Sequence, residues 1–246
     1  MQSALETNTW VLSSVTFISS RATIINNCFM EYVLKLYVNG CSFSYGNDIN
    51  NKVAWPDFME GYDVINQSWI GSSNKRIFRR TVDYIENNAV NDTVFVLQLT
   101  DWFRDEWYDA EFDTWIGMCK NDVVLDDMSY NRSDIDQEEL GRKVKNFVHH
   151  SLLHRSIRTV EQETFNLLNT MIAYFTYNNI PHIFTGMSSR CMPTDNNVKI
   201  IQPSTFAKPI SIIAGNNIIS TSDTHPNETG HKLFARYISN EIEKKI

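Results

Sequence analysis

Residues 33–46 read VLKLYVNGCSFSYG, and this stretch decides the fold. Val33–Val38 is a short, largely apolar run that ends at Asn39-Gly40. An apolar run of that length closed by a turn signal reads as a buried strand. Gly40 lets the backbone turn sharply, and Gly40-Cys41-Ser42-Phe43-Ser44-Tyr45-Gly46 then puts a serine where strand passes to helix. Open α/β sheets bind ligands outside the carboxyl ends of their strands. A helix starting at that turn also offers N–H groups and positive dipole to an oxyanion. A phosphate-binding loop is excluded, because Gly46 is followed by Asn47 and not by Lys and Ser or Thr.

Outward from this turn, short apolar runs alternate with longer amphipathic ones, the pattern of a parallel sheet with helices on both faces. Further strands are expected at Tyr62–Asn66, Val94–Thr100 and Ile180–Thr185, with another at Ile210–Ala214. The run VFVLQLT at Val94–Thr100 is nearly continuous, as befits a strand buried on both sides. Helices are expected over Asn74–Asn88, where Ile77, Val82 and Ile85 share a face, and over Val160–Tyr177, striped by Phe165, Leu168, Ile172 and Phe175. A last helix over Thr229–Ile246 places Leu233, Phe234, Tyr237, Ile238 and Ile242 on one side. Residues 101–150 break this rhythm with acidic and aromatic residues mixed. An insertion of that length is a lid, a substrate wall or a solvated excursion.

The composition narrows the function. The chain has 246 residues with 42% hydrophobic and 21% charged, the balance of a packed globular protein. A net charge of −7 argues against nucleic acid as partner. The one basic cluster, Lys75, Arg76, Arg79 and Arg80, has helical spacing and is expected to be a solvated face. No run approaches the ~18 apolar residues of a membrane span, so no membrane partner is expected. Cys28, Cys41, Cys119 and Cys191 are scattered without a CxxC pair, so reduced thiols and an intracellular or cytoplasmic setting are the expectation, with secretion left open.

Residues 1–29 read as a poorly defined extension, with residues 30–246 forming a single domain and Met30 as the natural start. The mildly apolar WVLSSVTFIS at 10–19 lacks the basic start and length of a signal peptide. Mass spectrometry of the native protein tests this start; an intact N-terminus at Met1 rejects it.

The GCSFSYG turn resembles the first block of the SGNH/GDSL hydrolases, Gly-x-Ser-x-x-x-Gly after the first strand. Asn66-Gln67-Ser68-Trp69-Ile70-Gly71-Ser72-Ser73-Asn74 resembles the second, an Asn five residues before a Gly that lines the oxyanion hole. The same residues also suit a turn and helix cap, through Ser72, Ser73 or Asn74. Ser222-Asp223-Thr224-His225-Pro226-Asn227 resembles the family's Asp-x-x-His element before the last helix. The resemblance implies a three-layer α/β/α sandwich with a mostly parallel, flavodoxin-like sheet. It implies Ser42 as nucleophile, His225 as base and no cofactor. Hydrolysis of an ester through an acyl-enzyme follows, with a small-molecule or carbohydrate ester, such as an O-acetylated sugar, as substrate.

This chain departs from the family pattern in two places. The carboxylate Asp223 lies two residues before His225, so either it reaches the ring in a bent loop or a Ser–His dyad operates. The third block is reduced to Gln98-Leu99-Thr100-Asp101, so the oxyanion hole uses the Thr100 hydroxyl or only the N–H groups of Ser42 and Gly71. Asn74, Trp102 and Arg104 are candidate substrate contacts, with packing as the alternative for Trp102 and Arg104. His231 is the competing base, but it falls inside the last helix. Cys41 stands where the family has Asp and should point away from substrate. No metal is expected: His150 and His154 lack the accompanying Glu of a zinc motif, and the Asp residues of 122–136 lack calcium-loop spacing. The departures motivate a rival reading, a non-catalytic binding module on the same fold.

Overall fold

The computed structural model describes residues 33–46, 53–101, 104–110, 114–119, 122–125, 157–192, 206–220 and 223–246, with isolated positions at 139, 142 and 146. The chain divides into two units, Met1–Tyr32 and Val33–Ile246, and every described residue belongs to the second.

Four strands make a parallel sheet in the order β2-β1-β3-β7: β1 (Leu34–Asn39), β2 (Tyr62–Asn66), β3 (Thr93–Leu99) and β7 (His182–Gly186). The strand β1 is central. Leu36 pairs with Val64 on one side and with Val94 on the other, and Val96 pairs with Ile183. Because side chains alternate across a strand, each central strand feeds two cores. Leu36, Val38, Val94, Val96 and Ile183 face Trp55, Ile210, Phe234, Ile238 and Ile242. Tyr37, Phe95, Leu97, Leu99 and Phe184 face Ile77, Phe78, Leu168, Met171, Ile172 and Phe175. That double burial is why Val94–Leu97 reads as an unbroken apolar run.

Three layers result. One face carries α2 (Asn74–Asn87) and α3 (Ile157–Tyr177); the other carries α4 (Ile210–Ala214) and α5 (Glu228–Glu243). The α3 stripe Phe165, Leu168, Ile172 and Phe175 is buried as its spacing requires. In α5 the inward stripe is Phe234, Ile238 and Ile242, while Leu233 is 37% exposed. Adjacent helical residues lie about 100° apart, so Leu233 and Phe234 cannot both face the sheet.

Two expectations are corrected. Residues 210–214 form the helix α4, not a fifth strand, so the parallel sheet has four strands among the described residues. Pro209 and Gly215 flank this Ile-rich run as its N- and C-caps, and a short apolar run between them satisfies a helix as easily as a strand. The basic cluster on α2 is no solvated face either. Arg76 is 5% exposed, with Nη1 donating to Gln67 O (3.4 Å) and Ser72 Oγ (3.3 Å). Arg79 forks onto Glu106 at 3.0 Å through both Nε and Nη2 and lies 4.1 Å over the Trp115 ring. A guanidinium is weakly hydrated and planar enough to be stacked and paired in this way.

The Arg79 contacts dock a second, antiparallel sheet, made of β4 (Asp105–Asp109), β5 (Thr114–Cys119) and β6 (Asp122–Leu125). It occupies part of the segment whose rhythm broke in the sequence. Lys75 adds an ion pair to Asp105 at 2.6 Å. Among the described residues no helix is long and apolar enough to cross a membrane.

Candidate active site

A strand order of 2-1-3 reverses direction between β1 and β3, and the carboxyl ends of those two strands are where such sheets bind ligands. Ser42 opens α1 (Ser42–Tyr45) directly beyond the β1 end. This helix is a single turn closed by Gly46 at φ 87°, shorter than the helix foreseen for an oxyanion dipole.

The second component arrives from the far end of the chain. Asn227 caps α5 by accepting from Gly230 N–H at 3.1 Å. Ahead of it, residues 217–220 and 223–227 pair as the two arms of a hairpin. Asn227 N–H donates to Asn217 O (3.0 Å), Ile219 N–H to His225 O (2.9 Å) and Ser220 N–H to Asp223 O (3.1 Å), with an antiparallel bridge between Ile218 and Pro226. This ladder aims His225 at the serine: His225 Nε2 lies 2.7 Å from Ser42 Oγ. On the other side of the ring, Nδ1 lies 2.6 Å from Asp223 Oδ1, which also accepts from His225 N–H at 3.0 Å. The bend in the hairpin is what lets an aspartate only two residues away reach the ring. Phe43 braces the imidazole, ring centroids 4.5 Å apart.

Ser42 is 5% exposed, while His225 and Asp223 are part-exposed. The His225 backbone N–H, then the ring's hydrogen bond and charge, hold the Asp223 carboxyl below the usual carboxylate range. The carboxylate is therefore ionised wherever a histidine could act as base.

The other sequence candidates are placed as follows. Gly71 has φ 72° and sits in a turn where Ser72 N–H donates to Trp69 O at 3.2 Å. A side chain at that φ is strained, so the turn itself calls for glycine. Ser73, not Ser72 or Asn74, caps α2, accepting from Arg76 N–H at 3.0 Å. Asn74 is buried with both ends of its amide on the Thr100 backbone: Nδ2 donates to Thr100 O (3.1 Å) and Oδ1 accepts from Thr100 N–H (2.9 Å). The Thr100 side chain is fully buried, its hydroxyl 3.9 Å from Met187 Sδ. Arg104 is half-buried, donates its backbone N–H to Asp101 O at 3.1 Å, and keeps a buried Nη1 without a hydrogen-bond partner among the described residues. The rival base His231 is buried within α5. Cys41 is fully buried, its Sγ 3.2 Å from Gln98 Nε2, so it points inward. Trp102, His150 and His154 lie outside the described residues. Among those that are described, no cluster of His, Cys, Asp and Glu has the makings of a metal site.

Gly40 shows how closely this corner is built. A Cβ there would come 2.8 Å from Gln98 Oε1, 2.9 Å from Gln98 Cβ and 3.0 Å from Ser44 Oγ. Gln98 is fully buried and has nowhere to swing. Gly40→Ala should therefore cost about 1–3 kcal/mol, the usual penalty of overpacking, measured by urea unfolding; an unchanged midpoint would refute the crowding.

No family model and none of the curated proteins matches the sequence. Among solved structures, a protein assigned to the G-D-S-L family of lipolytic proteins from Desulfitobacterium hafniense is 13% identical, with 85% of this chain and 99% of that chain covered and a TM-score of 0.35. A GDSL-like lipase from Bacteroides thetaiotaomicron is 14% identical over 87% of this chain and 89% of its own, with a TM-score of 0.33. A protein assigned as an acylhydrolase from Bacteroides fragilis is 14% identical over 86% of this chain and 87% of its own, with a TM-score of 0.32. Likenesses this distant carry no argument, and the Ser42 corner stands on its own geometry.

Proposed function

We propose that this chain is a serine-dependent ester hydrolase acting through an acyl-enzyme. The observation that carries the reading is the continuous relay Asp223 Oδ1 to His225 Nδ1 (2.6 Å) and His225 Nε2 to Ser42 Oγ (2.7 Å). A nucleophile, a base in hydrogen-bond reach and a third group orienting the base are the defining arrangement of activated-serine chemistry.

In the first half-reaction, Ser42 Oγ attacks the ester carbonyl as His225 Nε2 takes the hydroxyl proton. Asp223, accepting from Nδ1–H, fixes the tautomer that leaves Nε2 free to accept and then offsets the imidazolium charge. The C–O bond to the alcohol breaks as His225 returns the proton to that oxygen, leaving the acyl group on Ser42. Water then gives a proton to the same nitrogen and attacks the acyl carbon; the bond to Ser42 Oγ breaks, the carboxylic acid leaves, and His225 returns the proton to Ser42. No metal or organic cofactor takes part in these steps.

For the oxyanion we assign the backbone N–H groups of Ser42 and Gly71. The burial of Thr100 and the contact of its hydroxyl with Met187 favour this backbone pair over a Thr100 donor. Each such donor is worth roughly 2.7–4 kcal/mol of transition-state stabilisation. An O-acetylated carbohydrate remains the proposed substrate, resting on the motif resemblance alone. The rival reading as a binding module drew on the reduced third block and on the short Asp223–His225 spacing; the 2.6 Å contact between Asp223 and the ring speaks against the second and leaves the first standing.

A fluorophosphonate probe followed by peptide mapping tests the reading. The expected result is one label on Ser42, together with release of acetate from acetylated sugars. A chain that takes no label and cleaves no member of an ester panel is a binding module instead.

A further inference from the structure

Buried polar groups are retained where they are fully satisfied, and Gln98 is the polar residue set into the apolar strand β3. Its side chain is fully buried under the nucleophile turn. Oε1 accepts from Ser44 Oγ at 2.8 Å and from Cys41 N–H at 3.4 Å. Nε2 donates to Cys41 Sγ at 3.2 Å and to Leu99 O at 3.2 Å. The amide orientation is fixed by its surroundings, because the Cys41 N–H and the Leu99 carbonyl demand an acceptor and a donor respectively. Ser44 passes the constraint on. Its Oγ receives Trp55 Nε1–H at 2.9 Å, so its own proton is the one given to Gln98. From β2, Asn66 Nδ2 holds Ser44 O at 2.8 Å.

Cys41 and Ser44 therefore have fixed partners on β3 and in the Trp55 segment, and Ser42 is the residue next to one and two residues from the other. We infer that Gln98 is a positioning residue for the Ser42 nucleophile, clamping the backbone on both sides of it through Cys41 and Ser44. The missing Cβ of Gly40 makes room for that amide. This inference rests on the hydrolase reading. Gln98 touches no reacting atom; its effect is on where Ser42 Oγ stands relative to His225 and the ester carbon. A misplacement of about 1 Å is worth roughly 10²-fold in rate.

The test compares wild type with Gln98→Met, Gln98→Glu and Ser44→Ala, reading kcat and KM on p-nitrophenyl acetate, the rate of fluorophosphonate labelling at Ser42, and the melting temperature. Gln98→Met keeps length and removes both polar atoms. In the folded protein its kcat and labelling rate should drop about 10²-fold, with KM within about threefold of wild type. Gln98→Glu, held neutral by burial, keeps an acceptor for Ser44 and Cys41 and a donor for Leu99, and should return to within about tenfold of wild type. Ser44→Ala should lower kcat about tenfold, and combined with Gln98→Met it should add little, because both act through one network. A folded Gln98→Met with wild-type kcat overturns the inference, as does an equal loss in Gln98→Met and Gln98→Glu. Should Gln98→Met not fold, an unchanged kcat in Ser44→Ala overturns it instead. A wild-type chain that neither hydrolyses nor labels overturns the hydrolase reading and this inference together; an active wild type with active variants overturns this inference alone.

Discussion

Ser42→Ala should lower ester hydrolysis by about 10⁴- to 10⁶-fold, the usual cost of removing the nucleophile from an activated-serine site. The physical reason is that His225 Nε2, 2.7 Å from Ser42 Oγ, then has no proton to take and no alkoxide to form. The change removes one oxygen from a buried side chain at the carboxyl end of β1. Stability should therefore move by no more than the ~1 kcal/mol of one hydrogen bond. Circular dichroism and melting on the same preparation separate loss of chemistry from loss of fold. Hydrolysis that persists unchanged in a folded Ser42→Ala would place the chemistry elsewhere.

Asp223→Asn should lower kcat by about 10²- to 10⁴-fold, with the fold intact. Asparagine keeps the shape of aspartate but can present its NH₂ to His225 Nδ1, which favours the tautomer with the proton on Nε2, facing Ser42. That nitrogen can no longer accept. The part-exposed position of Asp223 places the effect below that of losing Ser42. The same variant carries a pH signature. The Asp223 carboxyl is held below its ordinary range, first by the His225 N–H and then by the ring. A depressed folded-state value stabilises the fold above the ordinary aspartate pKa of about 3.9, and that stabilisation is lost as pH falls through the folded value. Melting curves between neutral pH and strong acid should show this acid-sensitive component in wild type and lack it in Asp223→Asn. Identical profiles would mean that the Asp223 contacts with the His225 N–H and ring are not formed in solution.

Much of the fold was legible because its central strands are buried on both faces. Tyr62–Asn66 has the predicted bounds, and β1, β3 and β7 lie within two residues of theirs. Residues 210–214 misled because an Ile-rich run of five residues has no period long enough to tell strand from helix; the Pro209 and Gly215 caps were the stronger signal. The β4–β6 sheet was hidden because its strands mix acidic and aromatic residues such as Asp105-Glu106-Trp107, and its docking depends on Arg79 of a distant helix. At the site, Ser42, Gly71 and His225 stand out in the sequence by their resemblance to the blocks of one family, the turn chemistry around each being common on its own. The Asp223 contact does not, since it depends on how 217–227 bends. Gln98 has no local signature beyond its place in the reduced third block, because its partner Cys41 is 57 positions away. A glutamine interrupting VFVLQL was the available hint.

The segment 223–227 carries both His225 and Asp223, yet none of its residues belongs to the buried apolar clusters on either face of the sheet. The base and its carboxylate are thus encoded apart from the core, whereas Ser42 stands between Cys41 and Phe43 inside it. A short lesion at Asp223–His225 would remove base and carboxylate at one stroke and spare the Asn227 cap of α5. Descendants of such a chain would keep the shape and lack the proposed base, so kin without the proposed reaction should be sought by the wording of one loop, not by the state of the core.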